Sequence, residues 1–400
     1  MGDRLRAGDL VRVHGAEEIL STLDADGCLD GMPFMPEMLS YCGKTLRVYK
    51  RAHKTCDTIS HYVGRRLDNT VHLEESRCTG SAHGQCEAAC MLFWNEAWLE
   101  RVAGPGGAMP PVAAGRAQAP AAASTMAQMG SASATQDGVD AQKGIRYRCQ
   151  ATELLNATKP LSPVNVRQYL EDYRSGNVTL GTFVRGAIYR LATLVVRPWQ
   201  RLGRKLGFGE VLAKPLIACY DAVQALVPNG VPYPRRYGQV AKGQPTPTDR
   251  ADWLRPGIRV RVKSYQEILS TLDINNKTRG LYFDAEMVPY CGKELPVRSV
   301  VNQIVDERTG YMLRFKTPAA ILESAYCQGA HSDNRMFCPR SIYPYWRTIW
   351  LTPMEESQAS GRAQAGPDAP QPAGATCAHA ARCETAALRP CPAHQPGATQ

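Results

Sequence analysis

Four cysteines in the first hundred residues could bind a metal. They are Cys56, Cys78, Cys86 and Cys90, and the last two are four residues apart, so on a helix they would share one face. Thiolates are soft ligands for zinc and for iron–sulfur clusters, and four of them complete a tetrahedral zinc site or hold a cubane cluster. The set therefore predicts a site for zinc or a [4Fe-4S] cluster. Structural thiols, a disulfide pair and a redox-active thiol are the alternatives.

A second cysteine-bearing segment follows the first at a distance of 249 residues. The strings EEILSTLD and YCGK of the first segment recur as QEILSTLD and YCGK in the second. The offset holds from Gly8 and Gly257 to Cys78 and Cys327, and a gap of three residues then precedes Cys338, the match to Cys86. Chance does not explain this similarity, so the sequence predicts a duplicated module of about 95 residues, a common domain size.

Comparison of the two copies gives two candidate ligand sets. Cys56 and Cys90 occur only in copy 1, because Val305 and Ile342 replace them in copy 2. This difference favours the four-thiolate set in copy 1, with copy 2 as a degenerate, structural module. The second candidate is a Cys3His set present in both copies, made of Cys42, Cys78, His83 and Cys86 and echoed by Cys291, Cys327, His331 and Cys338. A buried, inert thiol is the ordinary alternative for the cysteine of YCGK.

Hydrophobic patterns around the cysteines predict the elements that position them. Alternating residues predict strands at Leu10–Val13, at 46–48 and near 71–73, and a short helix with Ile19 and Leu23 on one face follows the first strand. Two tryptophan pairs recur at a spacing of four residues, and we interpret them as core residues: Trp94 with Trp98, and Trp346 with Trp350.

Two short motifs of the module resemble those of small SH3-like β-barrels. The segment from Gly8 to Val13 has the form G-D-x-V-x-V, and the turn and strand from Gly43 to Val48 have the form G-K-x-x-x-V. KOW modules and the nitrile hydratase β subunit use similar elements. The resemblance covers about a third of each module and implies a barrel topology without a function. We therefore predict an α+β protein with two SH3-like β-barrel modules flanking an α-helical segment.

Composition divides the chain into five regions. Stretches rich in Ala, Gly, Ser, Pro and Gln, with few large apolar residues, predict a disordered linker and a disordered tail. The predicted regions are the copy-1 module at 4–102, the linker at 103–143, a basic helical segment at 145–240, the copy-2 module at 254–354 and the tail at 355–400.

The middle segment mixes apolar and basic residues at helical spacing, and Pro198 is expected to kink or end its main helix. The favoured interpretation is a helical hairpin that packs its apolar face on a core and leaves a basic face in solvent. Binding to an anionic membrane surface or to nucleic acid is the alternative. The basic residues concerned are Arg185, Arg190, Arg197, Arg201, Arg204 and Lys205.

The whole-chain properties limit the class of protein. A formal net charge of +10 favours acidic partners without selecting one. No signal peptide and no run of 18 apolar residues is visible, so we expect a cytoplasmic protein without a transmembrane helix, whose thiols stay reduced. The common hydrolase, nucleotide-binding and zinc-protease motifs are not found, and the sequence does not pair the carboxylates of copy 1, which include Asp9, Glu37 and Asp57.

These patterns predict a metal-binding accessory protein that recruits a partner protein, and they favour a role other than catalysis. The first alternative is a redox enzyme that uses the copy-1 cysteines. The second is a protein that binds nucleic acid or a membrane surface through the basic middle segment.

Overall fold

The computed structural model describes residues 4–59, 63–108 and 136–354. Residues 109–135 of the predicted linker and the predicted tail at 355–400 lie outside the described residues. The described part combines α-helices with many antiparallel strands, which confirms the mixed α+β class.

Copy 1 is built on a five-stranded antiparallel sheet, with the strand order β8-β7-β4-β1-β9. Helix α1 (Ala16–Leu20) follows the first strand, and 3₁₀ helices span Pro36–Tyr41 and Glu96–Trp98. The strands of this copy are β1 (Leu10–Val13), β2 (Cys28–Leu29), β3 (Met32–Pro33), β4 (Thr45–Arg51), β5 (Lys54–Cys56), β6 (Gly64–Arg66), β7 (Thr70–Leu73), β8 (Trp94–Asn95) and β9 (Leu99–Ala103).

The middle segment contributes strands as well as helices. Its elements are β10 (Gln136–Asp140), β11 (Gly144–Tyr147), β12 (Lys159–Leu161), α2 (Arg167–Arg174), α3 (Leu180–Lys205), a 3₁₀ turn at Val211–Ala213 and α4 (Lys214–Ala225). Strand β12 pairs with β6, so this segment joins copy 1 through a shared sheet. Helix α3 continues past Pro198, contrary to the expectation that it could end there.

Copy 2 repeats the order of elements seen in copy 1. Its four-stranded antiparallel sheet has the order β17-β16-β13-β18. The elements are β13 (Arg259–Val262), α5 (Tyr265–Leu269), β14 (Lys277–Thr278), β15 (Leu281–Tyr282), a 3₁₀ helix at Ala285–Tyr290, β16 (Glu294–Val305), β17 (Met312–Leu322), a 3₁₀ turn at Thr348–Trp350 and β18 (Leu351–Pro353). The strand orders describe open sheets, and the closed SH3-like barrel stays a prediction.

Each copy buries its tryptophan pair in its own core. Trp94, Trp98, Trp346 and Trp350 are all fully buried, which confirms their predicted core role. In copy 1, the ring of Phe34 meets the ring of Trp98 edge-on at a centroid distance of 5.3 Å, and Phe283 meets Trp350 at 5.2 Å in copy 2. Such edge-to-face pairs hold the 3₁₀ helices and the last strands in the same relation in both copies.

The two copies contact each other through their cysteine loops. The β16–β17 hairpin of copy 2 reaches the copy-1 loop, where the amide of Glu87 donates to the carbonyl of Gln303 at 3.1 Å. In the reverse direction, the amide of Gly64 in copy 1 donates to the carbonyl of Asn334 at 3.1 Å. Each loop is therefore covered by a strand of the other copy.

Candidate metal centre

The cysteine loop of copy 1 follows β7 and closes on itself. The amide of Cys78 donates to the carbonyl of Cys90 at 2.8 Å, and Arg77 bridges to Met91 in antiparallel fashion. Gly80 adopts a positive φ of 73° inside this loop, and a Cβ there would lie 1.9 Å from the carbonyl oxygen of Cys86. Glycine is thus required at this position, because no side chain fits between the two arms of the loop.

Three side chains of different chemistry converge inside the loop. Nε2 of His83 lies 3.5 Å from Sγ of Cys78, and Nδ1 of the same ring lies 3.3 Å from Oε1 of Glu37. Sγ of Cys78 is 3.9 Å from that carboxylate oxygen. The three potential ligand atoms all lie within 4.8 Å of one another, and this is the one group of three or more such donors that the described residues contain.

Backbone groups fix two of these donors. The amide of Ala82 donates to Oε1 of Glu37 at 3.1 Å, and the amide of Gly80 donates to Sγ of Cys78 at 3.3 Å. Oε2 of Glu37 is buried and, within the described part of the chain, makes no hydrogen bond. A buried carboxylate oxygen without a partner costs free energy, and a bound cation would remove that cost.

The surroundings of the centre favour the charged forms of His83 and Glu37. Burial opposes the charged form of His83, but interactions with Cys78, Cys86 and Glu37 outweigh it and raise the pKa of His83 above its ordinary range. Burial acts against the charge of Glu37 too, yet hydrogen bonds from His83 and from backbone amides lower the pKa of that carboxyl group. Soft sulfur, imidazole and carboxylate donors are the ligand types that zinc takes in proteins.

Cys86 lies next to the group of three. Its thiol interacts with the ring of His83, and its Sγ accepts a hydrogen bond of 3.3 Å from the amide of Val305 in copy 2. Cys86 is almost fully buried, with 8% of its surface exposed. Cys86 therefore adjoins the group of three through His83, and its Sγ is not among the donor atoms that all lie within 4.8 Å of one another.

A cavity of about 360 Å³ adjoins the centre. Its lining includes five residues of possible ligand type and part of the β16–β17 hairpin: Cys78, His83, Cys86, Cys90, Cys149, Ile304, Val305 and Leu313. Its other charged lining includes Arg340 and Glu307, which pair with each other at 2.7 Å. The space is in the size range of sites for small molecules.

The predicted four-thiolate set is spread over two places. Cys78, Cys86 and Cys90 line the same cavity, whereas the thiol of Cys56 lies beside that of Cys338 in copy 2. The hydrogen bond with Cys338 lowers the pKa of Cys56 to about 6, against the opposing effect of burial, and Arg340 and Arg335 add to this. The four-thiolate site stays a prediction.

The cysteines of the two YCGK turns serve the cores. Cys42 packs against the core of copy 1, where burial raises its pKa to about 11, and its thiol points to the carbonyl of Met38 at 3.9 Å. Cys291 occupies the equivalent place in copy 2, and burial raises its pKa to about 12. Both have the features of inert packing thiols.

In copy 2, the equivalent donors are arranged differently. Oε1 of Glu286 accepts from the amide of His331 at 2.5 Å and from Oγ of Ser332 at 3.0 Å. Nδ1 of His331 is 4.0 Å from Oε2 of Glu286. In the loop, Cys338 is buried and Cys327 is half-buried, and desolvation raises the pKa of both thiols.

Sequence reasoning missed two residues of this region. Glu37 was visible only as one of several carboxylates, since 41 residues separate it from Cys78. Its one available signal was the repeat, because Glu286 stands 249 residues later. Cys149, on the cavity wall, belongs to the middle segment and has no counterpart in the repeat.

Helix α3 of the middle segment agrees only in part with the predicted packed helical hairpin. Most of the large apolar side chains of α3 are exposed: Leu191 exposes 64% of its surface and Trp199 exposes 47%, whereas Tyr189 and Val196 are buried. The buried positions include Gly186, Thr193 and Gln200. The predicted packing is therefore found in part: Val196 packs with Ile217 and Tyr220 of α4 in a small core, whereas most of the large apolar side chains of α3 are exposed.

The basic residues of α3 occupy several environments. Arg197 pairs with Asp333, Arg204 stacks over the ring of Tyr237 at 5.1 Å, and Arg185 donates to the carbonyl of Pro228 at 3.3 Å. Arg201 and Lys205 are exposed and Arg190 is half-buried. No helix in the described ranges has the length and apolar content needed to cross a membrane.

Comparison of this chain with models of protein families, with curated proteins and with solved structures gives no match.

Proposed function

We propose that this protein binds one zinc ion in the copy-1 loop, through Glu37, Cys78 and His83, with Cys86 as the fourth ligand. The convergence of three different donor types within 4.8 Å carries the proposal. The orphaned Oε2 of Glu37 and the backbone amides that hold its other oxygen support it. Hydrogen bonds that orient the ligands are a common feature of zinc sites.

The donor set favours zinc over an iron–sulfur cluster. A cubane cluster is held by four thiolates as a rule, while this centre offers two thiolates, an imidazole and a carboxylate. Zinc accepts that mixture in a tetrahedral site. Ligand binding requires deprotonated thiols and a neutral imidazole, so uptake of the ion would release protons.

The proposed role is that of a metal-binding accessory protein. The ion would brace the copy-1 loop against the β16–β17 hairpin, because Cys86 also contacts Val305. The cavity would give a small molecule, or a side chain of a protein partner, room to bind next to the four ligands. The SH3-like barrel is part of the same proposal, as a scaffold that presents these loops to a partner protein.

The experiment is metal analysis of the full chain after anaerobic purification. We expect close to one equivalent of zinc, no inorganic sulfide and no visible absorption from iron. Cys78→Ser should abolish zinc binding, and Cys42→Ser, which alters a cysteine of the core, should leave the zinc content unchanged. A metal-free protein that takes up no added zinc would overturn the proposal.

The same preparation tests the four-thiolate alternative. If Cys56 is a ligand, Cys56→Ser lowers the metal content as strongly as Cys78→Ser does. If the centre is the one proposed, Cys56→Ser keeps its zinc and Glu37→Gln weakens binding. Stoichiometric iron and sulfide would establish the cluster in place of zinc.

One contact supports a second candidate function, thiol–disulfide exchange. The thiols of Cys56 and Cys338 lie side by side, and this contact lowers the pKa of Cys56, which favours its thiolate. Both thiols are almost fully buried, so the Cys56 thiolate would attack a small-molecule disulfide and release one thiolate. Cys338 would then attack Sγ of Cys56, release the second thiolate and form a Cys56–Cys338 disulfide.

Diamide oxidation followed by peptide mapping tests this candidate, because diamide joins neighbouring thiols and is itself reduced to a hydrazine. We expect a Cys56–Cys338 crosslink, and we expect Cys56→Val, which copies Val305 of the other module, to abolish it. Absence of the crosslink in the wild-type chain contradicts the candidate and leaves the zinc proposal unaffected.

A further inference from the structure

Helix α3 carries an apolar stripe along its whole exposed side. The stripe repeats at intervals of three and four residues, which is the helical period, so its members share one face. They are large and each exposes at least 41% of its surface: Val184, Ile188, Leu191, Val195, Trp199 and Leu202. The stripe runs from Val184 to Leu202 within this helix of 26 residues, which is about 27 Å at a rise of 1.5 Å per residue.

The opposite side of α3 is already fully engaged with the protein. Gly186 packs against Phe337, where an added Cβ would lie 2.6 Å from the ring. The hydroxyl of Tyr189 donates to the carbonyl of His331 at 2.9 Å, and the amide of Gln200 donates to the carbonyl of Arg235 at 2.8 Å. Small and polar residues thus fix the inner face, and rotation of α3 cannot bury the stripe without breaking these contacts.

The charge of the helix identifies what the stripe fits. Between Leu180 and Lys205 the chain has six basic residues and no Asp or Glu. At 100° per residue, Arg201 and Lys205 lie along one edge of the stripe and Arg185 lies along the other edge. An apolar stripe bordered by cations, with a tryptophan within it, is complementary to the headgroup region of an anionic bilayer.

We propose that α3 docks in the plane of an anionic lipid surface, with its stripe in the headgroup and acyl boundary and its bordering cations on lipid phosphates. A second copy of the chain fits less well, because pairing two such helices would bring two sets of cations together. Nucleic acid would match the charge, but it would gain nothing from the apolar stripe. The proposal does not depend on the metal centre.

The test is co-sedimentation of the full chain with sucrose-loaded vesicles. One set contains phosphatidylcholine alone, and the other contains about one third phosphatidylglycerol. We expect binding to the anionic vesicles to be at least about tenfold stronger than to the neutral ones, and to weaken as salt is added.

Two pairs of substitutions separate the parts of the surface. The double variant Leu191→Ser/Val195→Ser should lose about tenfold or more in binding to both kinds of vesicle. Arg201→Gln/Lys205→Gln should lose the preference for anionic vesicles and keep the weak binding to neutral ones. Val164→Ser replaces an apolar residue that is 83% exposed and lies outside the stripe, and it is the matched control expected to bind as wild type does.

Three outcomes overturn the proposal. The wild-type chain fails to bind anionic vesicles, or the Leu191→Ser/Val195→Ser variant binds them as well as wild type. In the third outcome, neither chain binds vesicles, the wild-type chain is a dimer and the Leu191→Ser/Val195→Ser variant is a monomer. That result would show that the stripe binds a second copy of the chain. Because all four altered side chains lie on the surface, circular dichroism should show an unchanged fold, and retained zinc confirms that the metal centre is intact.

Discussion

The two copies contain the same four residue types in the same order, yet only copy 1 brings three of them together. Copy 1 has Glu37, Cys78, His83 and Cys86, and copy 2 has the equivalents Glu286, Cys327, His331 and Cys338. In copy 1, Nδ1 of His83 lies 3.3 Å from Oε1 of Glu37, and Nε2 of the same ring lies 3.5 Å from Sγ of Cys78. In copy 2, Nδ1 of His331 lies 4.0 Å from Oε2 of Glu286.

One residue of loop length explains the difference. His83 follows Cys78 by five residues, whereas His331 follows Cys327 by four. In each copy the same carboxylate accepts from a backbone amide of the loop, and that amide belongs to Ala82 in copy 1 and to His331 itself in copy 2. The histidine of copy 2 therefore occupies the place of an alanine, and its ring is directed away from the arrangement seen in copy 1.

The largest expected difference between the copies is in acid sensitivity. His72 on β7 is fully buried, and burial lowers its pKa to about 3, while Ile321 takes the same place in copy 2. Unfolded chains bind a proton at this histidine below about pH 6.5 and the folded chain does not, so stability falls as the pH drops from about 6.5 to 3. The loss approaches about 1.4 kcal/mol per pH unit within that window.

His72→Ile, which copies the residue of copy 2, tests this effect. Urea denaturation of both chains between about pH 7 and pH 4 should show that the variant loses less stability on acidification. Other titrating groups are common to both chains and cancel in the difference. Parallel pH dependences for wild type and variant would contradict the assignment of a buried neutral His72.

The next effect concerns the two carboxylates. Glu37→Gln should weaken zinc binding by about 10- to 100-fold, because it replaces a charged ligand by a neutral amide. Glu286→Gln changes a carboxylate that holds the copy-2 loop through His331 and Ser332, and it should leave the zinc affinity unchanged. Competition titration with a zinc chelator measures both, and equal effects would show that the copies are not functionally distinct.

The smallest effect concerns the tryptophan cores. The indole N–H of Trp94 donates to Oγ of Ser76 at 2.7 Å, but Ala325 replaces that serine in copy 2. Among the described residues, Nε1 of Trp346 accordingly has no hydrogen-bond partner. Ser76→Ala should destabilise the chain by about 1–2 kcal/mol, and Ala325→Ser should stabilise it by about 1 kcal/mol. If chemical denaturation shows no increase in the free energy of unfolding for Ala325→Ser, the unpaired indole N–H of Trp346 does not destabilise copy 2.

Local patterns in the sequence predicted the local elements. Alternation identified β1 (Leu10–Val13) and placed strands where β4 and β7 occur, and helical periodicity identified α3. Periodicity does not reveal which way a helix faces, because it shows that two faces differ without showing what covers each. The exposed stripe of α3 could therefore be found only from the packing of Gly186 and Tyr189 on copy 2.

The residues of the candidate site could also be predicted only in part from the sequence. The comparison of copies directed attention to the copy-1 loop, where Cys78 and His83 of the second candidate set lie 3.5 Å apart. Glu37 comes from a 3₁₀ helix earlier in the chain, and the neighbour of Cys56 is Cys338, 282 residues away. Such contacts depend on how the two modules pack, and a single sequence does not contain that information in its local pattern.

X-ray absorption at the zinc edge tests the central claim most directly, since it counts the sulfur ligands of the bound ion in the full chain. We predict two sulfur atoms at about 2.3 Å and two nitrogen or oxygen atoms at about 2.0 Å, from Cys78, Cys86, His83 and Glu37. A shell of four sulfur atoms, or a spectrum unchanged by Cys78→Ser, would contradict this account of the metal centre.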